Sequence, residues 1–272
     1  MSLSKELNSL MAKYRFRPSR KMGQNFIKSE AVIYRLIEEG GLKADDVVLE
    51  IGAGTGFLTR EMQKICKVIA VEKDDSLFRI LENELPKENL ELIHGDALTA
   101  ELPEFTKCVS LPPYMHSKEI ALMLLEKKIE SAILVFQKEF AEKLIAEPGF
   151  FEYSALTVLT RYYTEPEIVE IIPAESFYPK PNSDSALVKL NYGKKIGRAS
   201  DESLFRKFLQ ETFRYKNKNL SNALEKAGKN LIKGKKEFAE FLEKSSGLEL
   251  AEEKVMLIEP KEFVKIFNAL FR

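Results

Sequence analysis

The first half of the chain alternates short apolar runs with amphipathic segments. The apolar runs have strand length and predict buried strands over residues 46–51, 67–72, 90–96, 108–111 and 131–137. Helical spacing of apolar residues predicts a helix over each of the segments 57–65, 76–85, 118–128 and 138–147. Strand and helix alternate at a spacing of roughly 15–25 residues, which is typical of βαβ units. The pattern therefore predicts a mostly parallel sheet.

The regular alternation of predicted strands and helices ends beyond the middle of the chain. Residues 154–163 have helical spacing, whereas 167–173 and 185–193 predict two strands that pair antiparallel at the far edge of the sheet. The segment 178–184 between these strands is a proline-rich loop, and residues 194–200 predict a linker. Beyond the linker only helices are predicted, over 201–214, 217–227, 234–245 and 260–271. We therefore expect an α/β domain over residues 1–195 and a small all-helical domain over residues 196–272.

A glycine-rich turn separates the first predicted strand from the first predicted helix. Residues 50–56 read EIGAGTG, and glycines permit a sharp turn and a close approach of a ligand to the main chain. The spacing is neither the Gly-x-Gly-x-x-Gly of dinucleotide sites nor a phosphate loop followed by Lys-Ser/Thr. By itself the turn also fits an ordinary connection between strand and helix.

Acidic residues end the next two predicted strands. Glu72 ends the second strand, where a carboxylate can accept hydrogen bonds from both hydroxyls of a ribose. Asp96 ends the third strand, where a carboxylate can accept a hydrogen bond from an adenine amine. Open α/β sheets bind ligands at the carboxyl ends of their strands, so the turn and the two acids predict an adenosine site without pyrophosphate. This arrangement is that of an S-adenosylmethionine-dependent methyltransferase with a Rossmann-like class I sheet.

Composition argues against several other classes. The 272 residues include two cysteines and two histidines without metal-ligand spacing, so neither a disulfide framework nor a metal site is expected. No apolar run reaches the length of a membrane span, and the first residues lack the pattern of a signal peptide. We therefore expect a cytoplasmic protein without a membrane partner, and a monomer.

The formal net charge is zero, but basic residues are concentrated in two blocks. Residues 1–23 contain six Lys or Arg and one acid, and residues 206–236 contain ten Lys or Arg and two acids. Two basic blocks on an otherwise acidic chain predict a polyanion-binding surface, although each block alone also fits a solvated helix face. The residues predicted to bind RNA are Arg17, Arg20, Lys21, Arg214, Lys216 and Lys218.

Further motifs are spread over about residues 18–225. They are KMGQNF (21–26), FQKEFA (136–141), FYPKP (177–181) and FRYKNK (213–218). Together with the glycine turn, Glu72 and Gly95-Asp96-Ala97, these motifs resemble those of the small-subunit ribosomal RNA adenine dimethyltransferases of the kasugamycin-resistance type. Many methyltransferases share the glycine turn, whereas the Phe-x-Pro-x-Pro and Gln-x-Glu-Phe-Ala elements are specific.

The resemblance implies an activity, a partner and a set of site residues. Members of the family dimethylate the exocyclic amines of two adjacent adenines near the 3′ end of small-subunit ribosomal RNA and act in subunit assembly. The expected partner is this RNA or the pre-ribosomal small subunit, and S-adenosylmethionine is the expected cofactor. Phe177 is expected to stack on the flipped adenine, although its alternative is a plain core residue. Expected cofactor-binding residues are Gln24, Asn25, Ile27, Gly52, Gly54, Glu72, Asp96 and Ser110, and expected catalytic residues are Ser110, Leu111, Pro112, Tyr114 and Phe177.

The loop after the fourth predicted strand departs from the family. The family has Asn-Leu-Pro-Tyr, whereas this chain reads SLPPYM over 110–115, so Leu111 occupies the Asn position when Pro113 and Tyr114 are kept in register. An adenine amine is a poor nucleophile, and acceptors for its N–H groups orient it towards the methyl group. Leu111 has no side-chain acceptor. We therefore expect reduced methylation, with loop carbonyls or a shifted Ser110 as substitute acceptors.

Other interpretations stay open at this point. A small-molecule methyltransferase would keep the cofactor residues but would not need the basic blocks or the C-terminal helices. A DNA adenine methyltransferase would carry Asp or Asn before Pro-Pro-Tyr and a larger recognition domain. A largely non-catalytic, cofactor-binding ribosome-assembly factor is favoured by Leu111 and opposed by the intact glycine turn.

Overall fold

The chain folds into two compact units. A computed structural model describes residues 2–193 and 196–271, so residues 194 and 195 of the predicted linker lie outside the described residues. The first unit consists of Met1–Ala141 and Pro166–Tyr192, and the second of Glu142–Glu165 and Gly193–Arg272. The second unit therefore combines a segment from the middle of the chain with its C-terminal part.

A seven-stranded sheet, in the spatial order β4-β3-β2-β5-β6-β9-β7, dominates the described part of the first unit. The strands are β1 (Phe26–Ile27), β2 (Val47–Ile51), β3 (Lys67–Glu72), β4 (Leu90–His94), β5 (Lys107–Ser110), β6 (Ser131–Gln137), β7 (Thr164–Ile172), β8 (Phe177–Tyr178) and β9 (Ser185–Tyr192). The pairs β4–β3, β3–β2, β2–β5 and β5–β6 are parallel, whereas β9 runs antiparallel to β6. The predicted mostly parallel sheet with an antiparallel edge is confirmed.

Helices connect the parallel strands and build the second unit. They are α1 (Leu3–Tyr14), α2 (Glu30–Gly40), α3 (Phe57–Met62), α4 (Asp75–Glu84), α5 (Ser117–Leu125), α6 (Lys138–Ile145), α7 (Ala155–Tyr163), α8 (Glu202–Phe213), α9 (Leu220–Leu231), α10 (Lys235–Ser246) and α11 (Pro260–Leu270). The central strands are fully buried because helices cover the sheet, which explains their continuous Val, Ile and Leu runs. The predicted C-terminal helices are present.

The N-terminal basic block contains a helix that was not predicted from the sequence. Part of it belongs to α1, which buries Leu3, Leu7 and Leu10 on one face. Lys13, at the end of this helix, pairs with Glu84 of α4. Helix α1 was not predicted, because residues 1–23 were interpreted by their charge and not by their apolar spacing. Helix α2 lies outside this block and was not predicted either.

Aromatic side chains form much of the core of the second unit. Phe205 and Phe208 of α8 contact Phe267 of α11, with ring centroids 5.2 and 5.6 Å apart. Tyr162 of α7 packs against Phe205 at 5.1 Å. The apolar faces of α8 and α11 are therefore used for packing, as expected for amphipathic helices of an ordinary core.

Candidate active site

One cavity of about 570 Å³ lies at the carboxyl ends of the central strands. Its wall includes the glycine turn after β2, the end of β3, the residues after β4 and the loop after β5. Segment 19–26 and Phe177 complete the wall. This volume is typical of small-molecule and cofactor sites, so the cavity is large enough for a nucleoside and part of a second ligand.

The glycine turn adopts a backbone conformation that other residues rarely reach. Gly52 and Gly56 have φ angles of 74° and 78°, in the left-handed region. A Cβ atom on Gly56 would lie 2.8 Å from the Leu81 side chain, and one on Gly52 would lie 3.2 Å from Pro113 Cδ. The glycines therefore allow the chain to turn from β2 into α3 and leave bare main chain on the cavity wall at Gly52.

Glu72 is fixed at the end of β3 by main-chain donors. Its Oε2 accepts a hydrogen bond from the Gly54 amide at 2.8 Å, and its Oε1 accepts from the amides of Lys73 and Asp74 at 2.9 and 2.8 Å. Burial raises the pKa of this carboxyl above its usual range, and these three amides partly offset the effect. The carboxylate is thus both locked to the glycine turn and present on the cavity wall.

Asp96 lines the same cavity from the loop after β4. Its Oδ1 accepts a hydrogen bond from the Leu98 amide at 3.0 Å, and its Oδ2 forms an ion pair with Lys73 Nζ at 2.9 Å. The Leu98 amide and then Lys73 lower the pKa of this carboxyl, so Asp96 is a charged acceptor at neutral pH. A ligand amine that binds Oδ2 shares it with Lys73.

The N-terminal KMGQNF motif and the FYPKP motif pair with each other. β1 and β8 form a two-stranded antiparallel ribbon in which Phe26 is opposite Tyr178 and Ile27 is opposite Phe177. Gln24 and Asn25 line the cavity next to this ribbon, whereas Ile27 is buried in the core. The ribbon therefore brings two motifs that are about 150 residues apart in sequence to one side of the site.

Gln24 is held by two polar contacts. Its Oε1 accepts a hydrogen bond from the Ser19 amide at 2.7 Å, and its Nε2 donates to Asp74 Oδ2 at 3.2 Å. Asn25 Nδ2 donates to the Gly23 carbonyl oxygen at 3.1 Å. These contacts hold the segment that borders the cavity.

The loop after β5 contributes Leu111, Pro112 and Tyr114 to the cavity wall. The Tyr114 hydroxyl lies 2.6 Å from Ser185 Oγ, and burial raises the pKa of Tyr114 to about 12. The Tyr114 ring contacts the Phe177 ring edge-to-face, with centroids 6.4 Å apart. Phe177 lines the cavity but is only 1% exposed, so a base reaches its ring only from inside the site.

Ser110 is fully buried at the end of β5 and is not part of the cavity wall. Its hydroxyl donates to the Ile51 carbonyl oxygen at 2.7 Å and accepts from the Ile51 amide at 3.1 Å. A substrate amine therefore does not meet this hydroxyl in the structure. The half-buried Leu111 side chain lies where the loop turns into the cavity.

Glu50, to which no role was assigned from the sequence, lies directly before the glycine turn. Its side chain is 2% exposed, and its Oε2 accepts a hydrogen bond from Thr59 Oγ1 at 2.6 Å. Burial raises its pKa to about 8, and the charge of Glu72 adds to the effect. The sequence did carry a signal for this, because Glu50 lies inside the apolar run DVVLEI. An acid that is buried without a cation is expected to take up a proton.

The residues predicted to bind RNA occupy two regions. Arg17 is exposed, Lys21 lines the cavity mouth, and the side chain of Arg20 lies outside the part of the chain that is described. In the second unit α8 ends at Phe213 and α9 begins at Leu220, so the remaining predicted residues lie in the turn between these helices and not on their faces. These residues are Arg214, Lys216 and Lys218.

These turn residues differ in their surroundings. Arg214 is exposed and pairs with Glu211 at 2.8 Å. Lys216 Nζ donates to the carbonyl oxygens of Phe151 and Tyr153 at 2.5 and 3.3 Å. Lys218 is exposed. Lys216 therefore stabilises the segment that contains Phe151 and Tyr153, a role that its charge alone does not indicate.

The described residues offer little support for two other kinds of site. Among them, no cluster of three or more His, Cys, Asp or Glu side chains is arranged to hold a metal ion. The helices in the same part of the chain are all too short or too polar to span a membrane.

The sheet order, the glycine turn and the two acids at adjoining strand ends define a class I methyltransferase. The residues present fit S-adenosylmethionine. The Glu72 carboxylate, held by main-chain amides, the exposed main chain of Gly52 and the charged acceptor Asp96 border one cavity of suitable size. Residues 15–268 match the model of the family described as ribosomal RNA adenine dimethylase. The chain belongs to this family.

Individual relatives and solved structures agree with this assignment. The chain is 38% identical over 261 residues to the probable ribosomal RNA small subunit methyltransferase A of Thermococcus gammatolerans, which covers 96% of this chain and 92% of the relative. A dimethyladenosine transferase from Plasmodium falciparum has a similar structure, with a TM-score of 0.75, 26% identity and coverage of 89% and 95% of the two chains. The 23S rRNA methyltransferase ErmE gives a TM-score of 0.68, 28% identity and coverage of 91% and 100%.

These findings confirm the principal expectations from the sequence. The family, the Rossmann-like class I fold with its helical C-terminal part, and the class of enzyme are as predicted. The cofactor of the family is S-adenosylmethionine, also as predicted. The roles of the individual residues remain predictions.

Proposed function

We propose that this chain transfers methyl groups from S-adenosylmethionine to the exocyclic amines of two adjacent adenines near the 3′ end of small-subunit ribosomal RNA, with a role in subunit assembly. The observation that carries the proposal is that Glu72, Asp96 and residues 111–114 of the SLPPY loop border one cavity. Leu111 on the wall of that cavity makes the transfer slower than in a relative with Asn at this position.

The cofactor is bound by the carboxylates of Glu72 and Asp96 and by the main chain of the glycine turn. S-adenosylmethionine supplies an electrophilic methyl group on its sulfonium. Glu72 accepts hydrogen bonds from the ribose hydroxyls, and its three main-chain donors keep it aimed at them. Asp96 accepts a hydrogen bond from the adenine amine of the cofactor. Gly52, Gly54, Gln24 and Asn25 border the remainder of the cofactor, whereas Ile27 and Ser110 support this wall from the core.

The target adenine occupies the part of the cavity next to the SLPPY loop. Tyr114 and Phe177 provide the aromatic surface that replaces the stacking lost when the base leaves the RNA helix. The carbonyl oxygens of Leu111 and Pro112 accept from the amine, so the nitrogen lone pair is directed along the line of transfer. One side-chain acceptor is missing, and its loss costs about 1–3 kcal/mol, or roughly 5- to 150-fold in rate.

RNA binding is assigned to both ends of the chain. Residues 196–272 act as a helical RNA-binding domain, and residues 1–195 act as the methyltransferase domain. Arg17, Arg20 and Lys21 contact phosphates near the cavity, and Arg214, Lys216 and Lys218 contact them in the C-terminal domain. The protein acts in the cytoplasm as a monomer.

Transfer of tritiated methyl groups tests the proposal directly. Small ribosomal subunits that lack the two adenine methylations are incubated with the full chain and tritiated S-adenosylmethionine. We expect label in the two adenines near the 3′ end and accumulation of monomethylated product, because the second transfer also lacks the acceptor. Label elsewhere in the RNA would contradict the assigned target, and a rate equal to that of an Asn-bearing relative would contradict the role of Leu111.

A second candidate function is a cofactor-binding assembly factor with little catalysis. It is favoured by Leu111 on the cavity wall and by the Ser110 hydroxyl that is already occupied by Ile51. Calorimetry with S-adenosylmethionine and the tritium assay separate the alternatives. Cofactor binding without label in any RNA would support the assembly factor, and label in the two adenines would support the enzyme.

A further inference from the structure

Two adjacent phenylalanines in the second unit have most of their surface in solvent. Phe150 is 63% exposed and Phe151 is 82% exposed, the highest value for a large hydrophobic side chain among the described residues. They lie in the loop between α6 and α7, remote in sequence from every motif assigned to the active site. Burial of such rings is favourable, so two neighbouring exposed rings indicate a contact surface.

Hydrogen bonds fix this loop on both sides of the rings. The Gly149 amide donates to the Met256 carbonyl oxygen at 2.7 Å, and the Tyr153 hydroxyl donates to the Ile258 carbonyl oxygen at 2.7 Å. Lys216 Nζ donates to the carbonyl oxygens of Phe151 and Tyr153. The two rings are thus presented on an ordered support, which lowers the entropy lost when they bind a partner.

Charged side chains of both signs lie around Phe151. Lys216 Nζ lies 4.8 Å from the centroid of the Phe151 ring. The turn that contains Lys216 and Lys218 runs beside residues 253–257, and Lys218 and Lys254 are both exposed. Acids are also present on this surface: Glu147 pairs with Arg161, Glu252 accepts from Asn219, and Glu152 follows Phe151. A cation therefore lies next to the Phe151 ring, and of these acids Glu147 is paired with a cation.

We propose that Phe150 and Phe151 form a stacking platform for unpaired bases of RNA, flanked by the phosphate-binding residues Lys216, Lys218 and Lys254. Aromatic rings next to lysines are the combination that binds single-stranded nucleic acid, since bases stack on the rings while cations contact the backbone. The inference rests on the proposed function only in taking RNA as the partner.

A protein partner fits the surface less well. Leu257, which is 45% exposed, lies next to Gly149, and charged residues such as Glu152 and Lys254 interrupt the apolar area. Protein-binding patches are larger and contiguous, and their centres are depleted of lysine. The occupant is therefore assigned as RNA, and a protein is one outcome of the test.

Fluorescence tests base stacking directly, because the chain contains no tryptophan. Phe151→Trp introduces a single fluorophore at the platform, and Tyr34→Trp introduces one at an exposed position of α2 as the matched control. The probes are a single-stranded oligoadenylate of about ten nucleotides and a blunt RNA duplex of the same length. We expect the single strand to quench the fluorophore at the platform and the duplex to leave its emission nearly unchanged, with no quenching in the control. Equal quenching by both probes, or none, would overturn the proposal.

Removal of the rings gives a second readout. Phe150→Ala/Phe151→Ala is expected to weaken binding of the single strand about tenfold, whereas Tyr34→Ala leaves it unchanged. If the double variant binds the oligonucleotide normally and binds small subunits weakly, the surface contacts a ribosomal protein and the RNA assignment is wrong. Methyl transfer at saturating RNA is measured in parallel. If the single strand does not quench Phe151→Trp while the wild-type chain labels the two adenines, only this inference is overturned. If quenching is observed and the RNA carries no label, only the proposed function is contradicted.

Discussion

Ser110 joins the end of β5 to the end of β2 through two hydrogen bonds with Ile51. Its hydroxyl donates to the Ile51 carbonyl oxygen and accepts from the Ile51 amide. Both strands lead directly into loops of the cavity, so this contact sets the spacing between the glycine turn and the SLPPY loop. Because the hydroxyl is already used, Ser110 does not offer the substitute acceptor that was expected from the sequence.

Restoration of the acceptor at position 111 is expected to increase the rate. Leu111→Asn places an amide oxygen on the cavity wall without changing Pro113 or Tyr114. A new hydrogen bond to the target amine in the transition state is worth about 1–3 kcal/mol, so kcat for methyl transfer should rise roughly 5- to 150-fold. Single-turnover transfer of tritiated methyl groups to under-methylated small subunits measures the change.

Leu111→Met is the matched control, since it keeps the apolar volume and adds no acceptor. Its rate should stay within a few-fold of the wild-type rate. An Asn variant that is no faster than the Met variant would show that Leu111 does not occupy the acceptor position. The register of Leu111 against the family motif would then be wrong.

Much of the fold follows from the local pattern of apolar and polar residues in the sequence. The strand over residues 131–137 was predicted with its observed bounds, because a run of apolar residues ends there at a charged helix start. Glu72 and Asp96 were predicted to meet because parallel strands bring their carboxyl ends to one edge of a sheet, and both line the cavity. Local pattern and topology together therefore locate the site.

Features that depend on distant partners were not predicted. Pairing of Phe26–Ile27 with Phe177–Tyr178 joins two short segments whose sequences carry no strand periodicity. Ser110 was predicted to lie in the strand over 108–111, and only the position of Ile51 shows that its hydroxyl is used between two strands. The bond from Lys216 to the Phe151 carbonyl likewise depends on tertiary contacts that residue type cannot reveal.

Loss of the carboxylate at position 72 is expected to weaken cofactor binding. Glu72→Gln replaces one of two accepting oxygens by an NH₂ group, which then faces either the Gly54 amide or the amides of Lys73 and Asp74. A buried amide without an acceptor costs about 1–3 kcal/mol, and the ribose loses a charged acceptor as well. We expect the affinity for S-adenosylmethionine to fall at least tenfold by calorimetry.

Asp96→Asn is the comparison for this variant, because Oδ1 can still accept from the Leu98 amide. The NH₂ group that replaces Oδ2 no longer accepts from the cofactor amine, but the Asp96 side chain is 28% exposed, so the loss of cofactor affinity should be smaller than at the buried Glu72. The thermal stability of the variant should stay close to that of the wild type. Equal affinities for Glu72→Gln and the wild-type chain would remove Glu72 from the cofactor site.

Charge reversal at Lys218 is expected to reduce RNA binding in a salt-dependent way. Lys218 is exposed, whereas Lys216 holds the Phe151 loop, so Lys218→Glu alters charge with less structural change. Loss of one phosphate contact should lower the slope of log affinity against log salt by about one. Lys43→Glu, at an exposed position before β2 at the opposite end of the strands, is the control. Identical slopes for both variants would argue against phosphate binding by Lys218.

Stability of the chain should depend on pH through Glu50. Burial raises the pKa of this carboxyl from 4.5 to about 8, so in the folded protein it keeps a proton that the unfolded chain releases above about pH 4.5. The stabilisation associated with this proton is fully present below pH 4.5 and is lost as the pH rises towards 8. Its slope is at most about 1.4 kcal/mol per pH unit.

Glu50→Gln isolates this contribution, because its amide oxygen still accepts from Thr59 Oγ1 but does not titrate. Other titrating groups are common to both proteins and cancel in the difference between them. Urea unfolding between pH 5 and pH 8 should therefore show the variant gaining stability relative to the wild type as the pH rises, with the steepest change near neutral pH. Parallel stability profiles over this range would mean that Glu50 is ionised in the folded protein, and that a cation or an ordered water accompanies it behind the glycine turn.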